Sequence, residues 1–542
     1  MKKNLKSLSI IMLTFSIMSC SGIVGQNENE NNFHESKNEE IVLGAKRENP
    51  FSLKNSRSAL ENNNPNYIYF RIRTDKYENV EHLESILGDL NIVPIDYEIK
   101  EGGCFYNDNP GSEIYSPWFY HMVPVEIFEQ AKSFGEVETL DEMYISDEYL
   151  AKFTEESTEV ANPSARFLWF NYTSVRPTGH IYFYDEVKKK NVPLQGVKVT
   201  VSQWCHVKSA YTDENGYYDI GENFTTCWQN TANVKIIFET NKDTIYDIGS
   251  IFKATNFRKD KNVSELSENN IYLEADTPQG NYGVLLNAAT TYRKYARELN
   301  ITEPKNLKFW GSTITNGGIS LMQDVVIADF AAVTAAIGSA ASLGVGTILG
   351  SITGAVAGTY LPDIIISLNT PQERSITKTE SITETVFHEM AHASHFTGIG
   401  IGNITYWNEE YIKMLGGWAA VIWRGEDLSK NCYNNGNSKQ VCLIESWGYF
   451  IGFYLMSKYY SGCNTSMSYK YVLSQGIRNY PYFYIDVYNE LLKNFTVSQI
   501  FEPYKSFSVQ SLTSWFNKFK SINTTIDSEK IKEMIKDKGY VL

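Results

Sequence analysis

Residues 384–396 read ETVFHEMAHASHF and hold three of the chain's eight histidines. His388 and His392 stand four residues apart, so on a helix they lie on one face, close enough to bind one metal ion. Between them, Glu389 would lie near a water on that metal and could take its proton. The spacing therefore predicts a helix that carries two zinc ligands and a general base.

Both ends of this helix are marked in the sequence. Residues 381–384, SITE, fit a capping box, in which the first hydroxyl and the last carboxylate satisfy backbone N–H groups reciprocally. Gly398 is expected to end the helix, because glycine adopts the left-handed conformation common at that point. Both histidines would then lie well inside the helix, as a two-histidine metal site requires.

Residues 388–392, HEMAH, fit the pattern HExxH and resemble the zincin metallopeptidases. The resemblance implies an α/β domain with this motif on its active-site helix, Zn²⁺ as cofactor, and a protein or peptide substrate. Zinc would activate a water and polarise the scissile carbonyl. Glu389 would act as general base and then deliver the proton to the leaving amine. The chain is therefore expected to be a hydrolase.

The third protein ligand decides the subclass. Zincins with the longer pattern HExxHxxGxxH would place a glycine at 395 and a histidine at 398, whereas this chain has His395 and Gly398. His395 lies on the same helical face but one further turn along, about 5 Å beyond His392. Rigid helical placement makes it a poor ligand, so it is expected to line the cleft.

Glu445 is the preferred third ligand. It is the only charged residue between Lys439 and Lys458, and burying a carboxylate is costly unless something such as zinc compensates it. This arrangement resembles the glutamate-zincins, in which a glutamate on a later helix completes the site. Three other carboxylates remain as alternatives: Glu409, Glu410 and Glu426.

Two further elements are predicted around the cleft. Tyr449, one turn after Glu445, is a candidate donor to the oxyanion that forms during hydrolysis. Residues 361–368, LPDIIISL, include a short apolar strand that could be the sheet edge on which an extended peptide pairs.

Length and net charge limit the classes of protein to which the chain can belong. The 542 residues are too many for one core, so several domains are expected. The formal net charge is −14, which argues against a nucleic-acid partner.

The N-terminus has the features of an export signal. Three lysines within the first six residues precede an apolar stretch, residues 8–18, that is too short to span a membrane as a mature helix. Residues 17–20, IMSC, resemble the lipobox of bacterial lipoproteins. The resemblance implies that residues 1–20 form the signal peptide, that Cys20 is lipidated, and that the protein is anchored at the outer membrane or cell surface.

The rest of the chain divides by composition and pattern into a multidomain α+β protein. Residues 21–66 are rich in Asn and Glu and predict a disordered tether. Residues 67–150 follow a βαββαβ order, which predicts a ferredoxin-like domain that is either accessory or propeptide-like. Residues 166–276 are predicted to be all-β. Residues 277–542 are mixed and mostly helical, and they form the predicted metallopeptidase domain.

Two short motifs characterise the all-β segment. Residues 194–199, LQGVKV, are followed by residues 212–218, TDENGYY, whose composition predicts a turn between strands. Together they resemble the carboxypeptidase regulatory-like domain, a small transthyretin-like β-sandwich. In that family the module is generally non-catalytic, so it points to extracytoplasmic placement more than to chemistry.

Cysteine usage fits an exported chain, since six cysteines remain after Cys20. Cys432 and Cys442 flank a polar loop and form the preferred disulfide. Cys205 and Cys227 lie in one β-rich segment and could pair next.

Two alternatives stay open. Residues 330–361 carry no charge, and their small residues recur every four positions, which fits either a tightly packed helical pair or a membrane-inserting element. The whole chain could also be a surface lipoprotein that binds glycan or protein and has a structural or degenerate zinc site.

Overall fold

The structure is a computed structural model. It describes residues 40–54, 64–74, 77–106, 108, 118–146, 173–204, 206–226, 229–247, 250–312, 318–320, 322, 362–369, 376–400, 436–465, 484–524 and 527–542. These residues form two compact units. The N-terminal unit comprises Asn32–Tyr184 and Lys190–Gly283, and the described part of the C-terminal unit comprises Asp185–Lys189 and Val284–Leu542. Strands and helices are mixed, and the C-terminal region is helical, as expected.

The first part of the N-terminal unit has the predicted order of elements. These are β1 (Val42–Lys46), β2 (Tyr67–Arg73), α1 (Tyr77–Leu87), β3 (Tyr97–Glu101), β4 (Phe119–Pro124), α2 (Val125–Ala131) and β5 (Glu136–Met143). The antiparallel sheet has the order β4-β2-β5, and both helices pack on it through Val80, Leu83 and Phe128. A ferredoxin-like sheet would also include β3, but β3 pairs with β1 instead.

The strand β1 corrects the prediction of a tether over residues 21–66. Within that range, residues 40–54 belong to the folded unit: Leu43 pairs with Ile99 of β3, and Ile41 is buried in the core. The apolar run IVL at 41–43 has enough hydrophobic surface to join a core, unlike the Asn-rich residues before it. Residues 1–39, with Cys20, lie outside the described residues.

The second part of the N-terminal unit consists mainly of β-strands, most of which form two four-stranded sheets in its described residues. Its larger strands are β7 (Thr178–Asp185), β8 (Lys190–Pro193), β9 (Lys198–Gln203), β10 (His206–Tyr211), β11 (Tyr217–Asp219), β13 (Thr231–Ile237), β16 (Asn256–Asn262) and β17 (Ile271–Leu273). Shorter or peripheral strands are β6 (Ser174–Val175), β12 (Phe224–Thr225), β14 (Asp243–Asp247) and β15 (Ser250–Ala254). One sheet has the order β10-β9-β13-β16, and the other has the order β11-β7-β17 with β8 also on β7.

The two sheets bury side chains in different patterns. Ile181 and Phe183 of β7 are buried and the residue between them is more exposed, as alternation predicts. On β9, Val199, Thr200 and Val201 are all buried. The predicted turn before β11 is present. Asp213 accepts hydrogen bonds from the backbone N–H groups two and four residues later, at 2.8 and 2.9 Å.

A small sheet and a set of helices make up the C-terminal unit. The elements are α3 (Pro278–Glu298), which begins in the other unit, then β18 (Leu307–Ser312), β19 (Gly318–Ser320), β20 (Ile364–Ser367), α4 (Lys378–Ile399), α5 (Gly436–Tyr459), α6 (Ile485–Leu491), α7 (Val497–Phe501), α8 (Leu512–Ile522) and α9 (Ser528–Asp537). The strand β20 runs parallel to β18 and antiparallel to β19.

The position of β20 contradicts one prediction. Residues 361–368 were expected to supply the sheet edge that binds an extended peptide, but β20 lies between β18 and β19 and is paired on both sides. Three consecutive isoleucines are buried there, which is typical of a strand covered on both faces. Among the described strands, β19 lies at that end of the sheet.

The boundaries of α4 also differ from the prediction. The helix begins at Lys378 because the side chain of Thr377 accepts a hydrogen bond from the backbone N–H of Glu380, so Ser381 lies inside the helix. It runs past Gly398 and ends at Gly400, which has a φ of 90°. The motif at 388–392 therefore lies further from the helix start than expected.

Within the described ranges, no helix has both the length and the apolar character needed to cross a membrane. The glycine-repeat segment at 330–361 lies outside the described residues, so its two interpretations stay open.

Candidate metal centre

The site is built where α4 and α5 cross at very short distance. Two glycines of α5, one turn apart, face α4 at this crossing. A Cβ on Gly448 would lie 2.8 Å from Cε1 of both His388 and His392, and a Cβ on Gly452 would lie 3.6 Å from the backbone of His388. Glycine is thus what allows α5 to approach the two imidazoles.

A hydrogen bond and an aromatic cluster hold this crossing together. The indole Nε1 of Trp447 on α5 donates to the carbonyl oxygen of Ala391 on α4 at 3.1 Å. The hydroxyl of Tyr504 donates to the carbonyl oxygen of Leu443, also on α5, at 3.1 Å. The same Tyr504 ring contacts the ring of His395 on α4, with centroids 5.0 Å apart.

The crossing brings together the three side chains that the sequence singled out as ligands. Nε2 of His388 lies 3.2 Å from Oε2 of Glu445, and Nε2 of His392 lies 3.8 Å from the same oxygen. The two Nε2 atoms are 3.0 Å apart. Among the described residues, this is the one group of three or more His, Cys, Asp or Glu side chains close enough to hold a metal ion.

The distances fit a zinc ion. Four tetrahedral ligands about 2.1 Å from zinc are roughly 3.4 Å from one another, and the three distances here scatter around that value. Two imidazole nitrogens and one carboxylate oxygen are also a common donor set for catalytic zinc, which leaves a fourth position for water or substrate.

Glu389 lies beside this group and is fixed by the strand β19. Its Oε2 accepts a hydrogen bond from Oγ of Ser320 at 2.8 Å. Its Oε1 is buried and has no hydrogen-bond partner in the described part of the chain. A Cβ on Gly318 would lie 2.8 Å from that Oε1, so the strand backbone passes directly over the carboxylate.

Burial tunes the protonation of these groups. It raises the pKa of Glu389 to about 7, although the positive charge of a protonated His388 acts to lower this pKa. Burial also lowers the pKa of His392 to about 4, which favours the neutral imidazole that a metal requires. A carboxylate with a pKa near neutrality is well suited to accept and then release a proton.

Other predicted residues have different surroundings. His395 is buried against Tyr504 and is not part of the three-residue group, and burial lowers its pKa to about 3. The ring of Tyr449, the candidate oxyanion donor, packs edge-on against the ring of His388, with centroids 4.4 Å apart. Cys442 on α5 is in a disulfide.

Several predicted residues are outside the described part of the chain. They are the alternative ligands Glu409, Glu410 and Glu426 and the cysteines Cys205, Cys227 and Cys432.

Sequence reasoning missed the residues that shape the site without binding metal. Gly448 and Gly452 are spaced four apart in an apolar helix, three and seven residues after Glu445, and that spacing was a usable signal for close helix packing. Ser320 and Gly318 had no such signal, because their partner Glu389 is 69 residues beyond Ser320 in the chain.

Comparison with known proteins gives no family for this chain: no family model matches it, and no curated protein is similar to it in sequence. Its function is therefore inferred from the chemistry of the site.

Proposed function

We propose that the chain is a zinc-dependent metallopeptidase. The observation that carries the proposal is the convergence of His388, His392 and Glu445 on one point, with Glu389 next to the first ligand in sequence. An ion pair between buried histidines and a buried glutamate could exist without metal, but it would not explain the adjacent buried carboxylate of Glu389.

The residues have distinct roles in this proposal. His388, His392 and Glu445 would hold zinc, which when bound makes water a nucleophile at neutral pH and polarises a carbonyl. Glu389 takes the proton of the attacking water at its Oε1 and passes it to the leaving amine. The strand β19, at the end of the described sheet, would align an extended peptide by backbone pairing.

The remaining parts of the chain have accessory roles in the proposal. The N-terminal βαββαβ region and the carboxypeptidase regulatory-like β-domain accompany the catalytic domain, and Cys20 supplies a lipid anchor at the outer membrane or cell surface. The βαββαβ element order and the two four-stranded sheets of the β-domain support the first two assignments.

The decisive experiment compares the wild-type protein with Glu389→Gln. Zinc content is measured by mass spectrometry. Proteolysis is measured with a labelled, unfolded protein such as casein as the substrate. Glu389→Gln should keep stoichiometric zinc and lose cleavage, because the amide cannot accept the proton. Glu529→Gln, an exposed glutamate on α9 with a side chain 73% accessible, is the matched control. Undiminished cleavage by Glu389→Gln would refute the proposal.

A second candidate is a surface lipoprotein that binds glycan or protein. It is favoured by a row of aromatic rings on the outer face of the β7 sheet. The rings of Tyr182 and Tyr272 are stacked at 5.4 Å, His180 contacts Tyr182 at 5.8 Å and Tyr217 at 5.2 Å, and Tyr272 is 54% exposed. Such rows also stabilise sheets through cross-strand contacts, so the row alone is weaker support.

The two candidates differ in their dependence on zinc. Binding of glycan or protein by the β-domain should survive chelation and the substitution Glu389→Gln, and it should weaken in a Tyr182→Ala, Tyr272→Ala double variant. Purified protein that contains no stoichiometric zinc would favour this second candidate.

A further inference from the structure

The two oxygens of the Glu389 carboxylate have different surroundings. Oε2 is held by Oγ of Ser320 at 2.8 Å, and Oε1 is buried with no hydrogen-bond partner among the described residues. A symmetric carboxylate can rotate and exchange its oxygens, but one held oxygen fixes the direction in which the other presents its lone pairs. The carboxylate therefore has a held oxygen and an available one.

The contact with Ser320 is built on a rigid support. Ser320 is opposite Ile364 in the antiparallel pair of β19 with β20, and β20 is paired in turn with β18. The Ser320 hydroxyl also lies 2.9 Å from the main-chain carbonyl oxygen of Glu389, so its one proton is divided between the carboxylate and this carbonyl. The backbone N–H of Ser320 is a second donor to the carboxylate. The position of the hydroxyl relative to α4 is thus determined by the sheet.

The space beside the available oxygen depends on Gly318. A Cβ at this position would lie 2.6 Å from Cγ and 2.8 Å from Oε1 of Glu389, and 2.5 Å from Cγ2 of Thr385. Any side chain other than hydrogen would push the carboxylate from its place. Gly318 and Ser320 are alternate residues of one strand, so both face α4.

We propose that Ser320 is a positioning residue for Glu389: its hydroxyl immobilises Oε2 and so directs Oε1 toward the attacking water. Gly318 keeps the space around Oε1 free. This inference rests on the proposed metallopeptidase function and deepens it, because it explains how the base is oriented.

Three variants test the inference: Ser320→Ala, Ser320→Thr and Gly318→Ala. Ser320→Ala should lower kcat by about 10–100-fold with KM little changed, as for loss of groups that orient catalytic side chains. Ser320→Thr keeps the hydroxyl and should restore most of kcat. Gly318→Ala should lose activity although Ser320 is intact. Zinc content and the melting temperature are measured for every variant, so that loss of metal or of fold is recognised.

A second measurement does not depend on activity. Crystal structures of the wild type and Ser320→Ala should show the Glu389 carboxylate moved from β19 or present in more than one orientation in the variant. An unchanged kcat together with an unchanged carboxylate position in Ser320→Ala would overturn the positioning role. If the wild type cleaves no peptide while the carboxylate still moves in the variant, the proposed function fails and the positioning contact stands.

Discussion

Gly448 of α5 lies directly against the imidazole of His388 on α4, and a Cβ at position 448 would be 2.8 Å from Cε1 of that ring. Real Cβ atoms do not approach other atoms so closely, so a side chain there would have to displace the ring. The same Cβ would also meet Cε1 of His392 at 2.8 Å. Gly448 thus limits the positions that both imidazole rings can take relative to Glu445.

Gly448→Ala is expected to weaken zinc binding and to destabilise the C-terminal unit. The added methyl would force both imidazoles out of place, and overpacking of this kind costs about 1–3 kcal/mol. The check is zinc stoichiometry after dialysis together with the free energy of unfolding from chemical denaturation.

Gly452→Ala is the matched control for that variant. It is on the same face of α5 one turn later, but its Cβ would meet the backbone of His388 only at 3.6 Å, which is an ordinary contact. Alanine is the better helix former by roughly 1 kcal/mol, so this variant should bind zinc normally and be at least as stable as the wild type. Equal zinc loss in both variants would contradict this account, because only the Cβ at position 448 would meet the two imidazoles closely.

Glu445→Gln is expected to abolish stoichiometric zinc binding, since the carboxylate is one of the three donor groups that the described residues bring together. A ligand that binds the folded state raises the melting temperature, so chelation should lower it for the wild type but not for this variant. Glu490→Gln changes a half-buried glutamate on α6 that pairs with Lys493. It is the control and should keep the chelator response. A persistent response in Glu445→Gln would place the third ligand elsewhere.

Thr377→Ala is expected to destabilise the C-terminal unit by about 1 kcal/mol. The Thr377 side chain accepts the backbone N–H of Glu380 at the start of α4, and loss of such a cap typically costs 0.5–2 kcal/mol. Chemical denaturation measures the change. Thr377→Ser retains the accepting oxygen and should behave like the wild type; a loss in both variants would point to the methyl group instead.

His206 on β10 gives a prediction for pH. Burial lowers its pKa from the usual 6.5, although Glu222 lies 3.1 Å away and Lys208 pairs with that glutamate. The unfolded chain therefore binds a proton more readily than the folded one. The stability that His206 contributes is complete above about pH 6.5 and is lost as pH falls toward the folded pKa.

The measurement compares the wild type with His206→Gln at pH 7.5 and at pH 5.5. The glutamine does not titrate. The wild type should therefore have a lower unfolding free energy, relative to the variant, at pH 5.5 than at pH 7.5. The pKa of Glu222 is itself lowered, so it titrates below this interval. A difference that is constant with pH would mean that the pKa of His206 is the same in the folded and unfolded states.

Short sequence patterns predicted those residues of the candidate site whose placement depends on a single helix. The spacing of His388 and His392 requires only a helix, and Glu445 was recognisable as a lone charge in an apolar helix. The start of α4 was misjudged because Thr377 and Ser381 both offer a cap, and the earlier one is used. The three residues of β19 are too few to show alternation, so neither this strand nor its contact with Glu389 could be found from pattern alone.

The β-strands in the second part of the N-terminal unit were predictable because β7 alternates and the turn at 213–217 has strong turn residues. The position of β20 in its sheet was not predictable. A short apolar run indicates that a strand is buried, but it does not indicate which strands are its neighbours. The pairing of β3 with β1 likewise depends on tertiary packing of residues that are far apart in sequence.

The disulfide at Cys442 has a practical consequence for anyone who handles this protein. Cys442 is three residues before Glu445, so the helix that supplies the carboxylate is covalently tied one turn away. Thiol reductants such as dithiothreitol would act on this tie as well as on the zinc ion that we propose. Recombinant material should therefore be made under oxidising conditions and assayed without thiols, or inactivity could be mistaken for the absence of an enzyme.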